Sequence, residues 1–202
     1  MKQTGPLSVR ALSVVALLLL VVAGVSPCLA QGPLSQVKFD AGDTAWVLVS
    51  AALVMLMTPG LAFFYGGLVR KKSILSILMQ CFMVLCVISV QWVVVGYSLS
   101  FGPSLGGFIG DLSWFGMNGV DMSSSSYAPK IPHQAFAIFQ MMFAVITPGL
   151  IIGAFAERMR FSAFCLFSLL WATFVYDPVA HWVWGKGGFL GVQGGAGAVD
   201  FA

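Results

Sequence analysis

The chain has 202 residues, of which 59% are hydrophobic and 8% charged, with a formal net charge of +3. Ordinary globular domains carry about a quarter charged residues, so this composition argues against a soluble fold. The ten Lys and Arg residues fall in short clusters, not on a basic face with interleaved aromatics, which argues against nucleic acid as a partner.

Residues 1–30 read as a secretory signal peptide. Lys2 and Arg10 form the basic region, Ala11 to Gly24 the apolar region, and Cys28-Leu29-Ala30 supplies small residues for cleavage. A lipidated Cys28 fits less well because Pro27 stands beside it, and an uncleaved first span is disfavoured because the apolar region is shorter than the ~20 residues a bilayer needs. Four apolar stretches follow, at about 44–69, 74–101, 132–156 and 161–182, each long enough to cross ~30 Å of hydrocarbon as a helix. Two tight turns, Arg70-Lys71-Lys72 and Glu157-Arg158-Met159-Arg160, are basic, whereas the connection from Gly102 to Ile131 is long and rich in Gly and Ser. The positive-inside rule puts the tight turns in the cytoplasm and the long loop outside. A cleaved leader leaves Gln31 outside, and four crossings from there give the same orientation.

Pro59-Gly60, Pro148-Gly149 and Asp177-Pro178 are expected to interrupt the first, third and fourth helices. Breaks of that kind persist in membranes where neighbouring helices re-satisfy the freed backbone, so the spans belong in a multi-helix bundle. Gly149 and Gly153 form a GxxxG step and Gly66-Gly67 a small-residue patch, both read as close helix packing. Cys81, Cys86 and Cys165 lie in apolar runs without ligand or disulfide spacing and read as small core residues.

Polar groups inside a membrane each need an explanation. Gln80 and Gln91 read as hydrogen-bonding between helices, and Asp177, near the external end of the fourth span, as a helix-end residue, with cation attraction the alternative. Gln140 sits among aromatics. Phe136, Phe139, Phe143 and Thr147 recur at three and four residues on one helical face, a pattern that packing alone explains. The segment His181-Trp182-Val183-Trp184-Gly185 falls at the same external surface, where Trp is common as a lipid belt. Together they suggest an aromatic vestibule, in which a ring face holds a small cation by roughly 0.5–2 kcal/mol. The glycines from Gly187 to Gly195 read as a loop. Without a following Lys-Ser/Thr they make no phosphate loop, and Asp200 is placed to cap a fifth helix.

Five segments carry a resemblance: Met57-Thr58-Pro59-Gly60-Leu61-Ala62-Phe63-Phe64-Tyr65-Gly66-Gly67-Leu68-Val69-Arg70, Phe139-Gln140-Met141-Met142-Phe143-Ala144, Gly153-Ala154-Phe155-Ala156-Glu157-Arg158, His181-Trp182-Val183-Trp184-Gly185 and Asp200-Phe201-Ala202. In this order and spacing the chain from Asp43 to Ala202 resembles the superfamily of ammonium transporters, methylammonium permeases and Rhesus proteins. The resemblance implies an all-α polytopic membrane protein, part of an eleven-helix fold of two inverted halves. It further implies a homotrimer in the inner membrane, ammonium or ammonia as substrate, and a cytoplasmic regulator of the PII type. Trp184, Phe139 and Asp200 then form the external substrate site, Phe143 is a gate residue, and Gln140 lies on the pore wall. The family's pore histidines fall beyond Ala202. His133 and His181 match neither, so this chain is expected to be a portion of a longer protein and not to conduct alone.

Two other readings compete: a membrane sensor of ammonium that signals to cytoplasmic partners, and a Rhesus-like gas channel, which Trp184 speaks against. A structural scaffold is the plainest alternative. No nucleophile elbow, HExxH or paired carboxylates suggest an enzyme, and no cofactor is expected.

Overall fold

The computed structural model describes residues 39–191 and 196–200. The expected leader at 1–30, Cys28 and the fifth-helix start at 201–202 lie outside them. Four helices are long and apolar enough to cross a membrane: α1 (Ala41–Leu68), α2 (Lys71–Phe101), α3 (His133–Phe155) and α4 (Phe161–Trp184). Their ends fall within three residues of those read from the sequence.

Helix α1 starts at Asp40, whose carboxylate accepts from the Asp43 N–H at 2.9 Å and satisfies one of the free donors of the first turn. The backbone donors of Asp43 and then Gly42 hold that carboxyl below its usual range. The buried seam of α1 is narrow and made of small residues, Ala51, Thr58, Ala62 and Gly66, while Leu53, Leu56, Phe63 and Phe64 stay exposed on its outer side. Such a seam lets backbones approach closely, which is how helices associate where water supplies no driving force.

Both α1 and α3 run unbroken through Pro59 and Pro148, against the expectation of interruptions there. Each proline removes one donor without ending its helix. A Cβ on Gly149 would stand 3.3 Å from Leu61 Cδ2 and one on Gly153 only 2.9 Å from Tyr65 Cε1. Tyr65 then donates its hydroxyl to the Leu150 carbonyl at 2.7 Å. The GxxxG step is therefore the slot that receives α1.

The irregular backbone lies in α2 and α4 instead. Each contains a five-residue π segment, Trp92–Gly96 and Ala172–Tyr176, and the two segments touch. Wider turns of this kind add a residue without ending the helix, so they change which face follows. In α4 the segment leads directly into Asp177-Pro178, where regular helix resumes.

At one end of the bundle the two short turns meet. Glu157 adopts a left-handed backbone (φ 63°), and its carboxylate takes the Arg70 Nε–H at 2.9 Å and the Arg70 backbone N–H at 3.2 Å. The Arg70 side chain, helped by Ser73, pulls the Glu157 carboxyl down to about 2. At the other end, residues 102–132 fold over the helix tips. Strands β1 (Ser104–Leu105) and β2 (Ile109–Gly110) pair antiparallel around Gly106 and Gly107, which take positive φ of 63° and 85°.

Between the ends the core is aromatic under the long loop. Trp92 meets Tyr97 and Phe101 edge-on, and Tyr97 stacks on Trp114. Cys81 is buried, but Cys86 is exposed, which corrects the reading of all three cysteines as core. Five residues on from Cys81 is about 140° around the helix, outside the seam.

Candidate functional site

The capped end of the bundle gathers the residues that the sequence singled out. Trp184 is the last residue of α4, which stops where the Gly185 N–H returns to the His181 carbonyl at 2.9 Å and the backbone turns extended. Its indole N–H donates to the Asp200 carboxylate at 2.6 Å. These two side chains border an open cavity of about 300 Å³, lined also by Tyr127, Lys186, Gly191 and Ala198.

Phe139 and Phe143 form a second pair, in edge contact with ring centroids 5.0 Å apart on the half-buried face of α3. Gln140 is half-buried beside them, and Thr147 turns its hydroxyl back to the Phe143 carbonyl at 2.6 Å. The structure thus joins Trp184 to Asp200 and Phe139 to Phe143. Among the described residues no ring contact links Trp184 to either phenylalanine. The stripe is also divided: Phe136, one turn earlier, stacks on Tyr127 (5.6 Å) and meets Phe101 edge-on.

Tyr127 is the site residue that the sequence reading missed. Its hydroxyl donates to the Phe101 carbonyl at 2.9 Å and accepts the Lys186 N–H at 2.8 Å. The Lys186 ammonium lies 5.4 Å from the centre of its ring. Burial pushes the Tyr127 phenol up from its ordinary value, with the Lys186 N–H working against it. In sequence Tyr127 is one aromatic residue after four serines, and nothing local ties it to a chain segment sixty residues on.

The buried polar residues of α4 were placed differently from expectation. Asp177 is not near solvent at an external helix end: it is 0% exposed, and Gln91 of α2 donates to it at 2.6 Å while Ser100 lies at 3.4 Å. Gln91 also reaches Thr173, so it does bond between helices, whereas the Gln80 side-chain oxygen is buried with no partner among the described residues. His133 and His181, read as external helix ends, are buried too, His133 against the Tyr97 hydroxyl and His181 between Ser100 and Ser104. Among the described residues no three His, Cys, Asp or Glu side chains converge as metal ligands.

Set beside known proteins, the chain matches the model of the Ammonium Transporter Family over residues 45–202. It is 53% identical over 161 residues to an ammonium transporter of Bacillus subtilis, covering 80% of this chain and 39% of that protein. To an ammonium transporter of Mycobacterium tuberculosis it is 48% identical over 183 residues, covering 81% and 38%. The chain therefore spans about two fifths of the length of these relatives. Among solved structures, the S453D mutant of Candida albicans Mep2 superposes with a TM-score of 0.74 at 38% identity, covering 82% of this chain and 36% of that one. A structure titled Sensor Amt Protein gives 0.64 at 27% identity, covering 70% and 34%. The family match takes in most of α1, all of α2–α4 and the loop that bears Asp200, and identity at this level over such a length is not coincidence: the chain belongs to the ammonium transporter family.

Proposed function

We propose that the protein from which this chain comes carries ammonium across a membrane and recruits it at the end of the bundle that bears Trp184. The observation that supports this most is the pairing of the Trp184 indole with the Asp200 carboxylate at the edge of an open cavity. A carboxylate field draws in a small cation, and the face of an indole or phenyl ring holds it by roughly 0.5–2 kcal/mol, enough to recruit without trapping.

In this reading Trp184, Phe139 and Asp200 bind ammonium, Phe143 lies below as a gate, and Gln140 forms part of the pore wall. The cation releases its proton to the external water that reaches the open cavity, and neutral ammonia passes on through an apolar path. Potassium, having no proton to release, is rejected. The recruiting end faces outward, because Arg70, Lys71, Lys72, Arg158 and Arg160 gather at the opposite end and basic turns stay in the cytoplasm. Residues 1–30 act as a leader that leaves the mature N-terminus outside a cell membrane. A homotrimer and a PII-type regulator at the basic end complete the proposal, which rests there on family likeness.

The test is methylammonium uptake by cells that lack their own ammonium transporters and express the full-length protein. Trp184→Leu and Phe143→Ala should each reduce uptake severalfold at low substrate, at unchanged abundance in the membrane. Uptake unaltered in both variants would remove the site assignment. A sensor role is the second reading, supported by likeness to the structure titled Sensor Amt Protein. It predicts ammonium binding with negligible flux.

A further inference from the structure

We propose that His181 is a positioning residue for Trp184: it locks the rotation of the last turns of α4, so that the indole is presented to Asp200 and the cavity. The inference rests on the recruiting role given to Trp184 above.

His181 and Trp184 are three residues apart on one helix, about 4.5 Å along the axis and 60° around it. The imidazole is 0% exposed and bonded at both nitrogens. Nδ1 lies 3.0 Å from the Ser100 carbonyl, which can only accept, so Nδ1 carries the proton. In the neutral ring Nε2 then accepts from the Ser104 hydroxyl at 2.9 Å, a proton shared with the more distant Gly187 carbonyl at 3.3 Å, and the Ser104 oxygen accepts from the Gly107 N–H at 3.1 Å. One ring therefore ties α4 to the tip of α2 and to the β1–β2 turn.

The chain after the helix is fitted to this ring and to the helix end. A Cβ on Gly185 would be 2.4 Å from His181 Nδ1, in the space the ring needs, and one on Gly188 would be 2.0 Å from the His181 backbone carbonyl, so the chain lies close against the end of α4. The chain then folds back over the helix end, the N–H groups of Leu190 and Gly191 both reaching the Trp182 carbonyl, at 3.1 and 2.9 Å. The same segment leads to Asp200, the partner of Trp184. The ties of Asp177 to α2, from Gln91 and from Ser100, are one helical turn deeper and seven residues from Trp184, too far to fix the indole by themselves.

The experiment measures methylammonium uptake kinetics of the full-length protein for Trp184→Leu, His181→Ala, His181→Asn, Ser104→Ala and the combination of each of His181→Ala and Ser104→Ala with Trp184→Leu. A residue that acts through Trp184 changes the half-saturating concentration more than the maximum rate, and its effect disappears when Trp184 is gone. His181→Ala should raise half-saturation about five- to tenfold with the maximum rate per molecule within about twofold. His181→Asn, which keeps a donor for Ser100, should recover most of the loss, and Ser104→Ala should raise half-saturation about threefold. Neither change should add to Trp184→Leu. Normal half-saturation in Ser104→Ala, or effects that multiply fully with Trp184→Leu, overturn the positioning role; if His181→Ala fails to reach the membrane, Ser104→Ala decides. Should Trp184→Leu itself leave half-saturation unchanged, the recruiting role fails instead.

Discussion

The side-chain amide of Gln91 donates to Asp177 at 2.6 Å across the packing of α2 against α4, at a place where Asp177 has no exposed surface. Each residue borders a π segment, Trp92–Gly96 following Gln91 and Ala172–Tyr176 preceding Asp177. The two irregularities therefore frame one polar contact, in which Gln91 continues the buried seam of Ile77, Cys81, Val84 and Ile88. Gln91→Leu removes the short donor and should destabilise the protein by about 1.5–3 kcal/mol, because a buried polar group left unpaired costs more than its bond was worth. Gln91→Leu combined with Asp177→Leu should be milder than the sum of the two single changes. Thermal unfolding of detergent-purified variants measures both, and strict additivity would deny the coupling.

The slot at Gly153 makes a steric prediction. A methyl group there meets the Tyr65 ring at 2.9 Å, and the ring cannot swing aside without giving up its 2.7 Å bond to the Leu150 carbonyl. Gly153→Ala should lower stability by about 1–3 kcal/mol, the usual cost of overpacking, and Tyr65→Leu in the same protein should recover part of it. Equal melting temperatures for wild type and Gly153→Ala would show that α1 and α3 are not held at this distance.

The turn pair at the basic end responds to acid. Hydrogen bonding from Arg70, then from Ser73, pulls the Glu157 carboxyl from 4.5 to about 2. A carboxyl depressed in the folded state contributes stability that is present above its unfolded value and is lost as pH falls through the folded one. The contribution should be constant above pH 5 and fade between about 4.5 and 2. The Arg70 side chain is largely open to solvent and that of Glu157 partly so, so the effect is small and weakened by salt. Melting temperature against pH should fall less steeply below 4.5 in Glu157→Gln than in wild type. Parallel curves would mean that the pair does not form in solution.

Much of this architecture was legible in the sequence, because bilayer thickness and the spacing of charged turns constrain helix ends strongly. The ends of α1–α4 followed from that constraint. What escaped was set by contacts between distant segments. Asp177 was read at an external helix end, yet its environment is made by Gln91, 86 positions earlier. His133 and His181 looked like surface residues because they stand at helix ends, and the folded loop of residues 102–132 covers them. Pro59 and Pro148 looked like breaks because the local rule weighs the lost donor and not the facing helix. Of the site, Trp184 with Asp200 and Phe139 with Phe143 fell into two pairs, while Tyr127 gave no local signal.

Arg70, Lys71 and Lys72 also predict topology. A reporter tag in the loop near Gly119 should be accessible from outside intact cells, and one fused within the turn at Lys72 should be protected. The reverse pattern would invert the proposed route of transport.

The central claim is tested most directly by reconstituting the full-length protein in liposomes and measuring uptake of labelled methylammonium in the presence of excess ammonium or excess potassium. The account predicts saturable uptake that is reduced by Trp184→Leu, suppressed by ammonium and unaffected by potassium. Equal suppression by potassium and ammonium, or methylammonium binding without any flux of label, would contradict it.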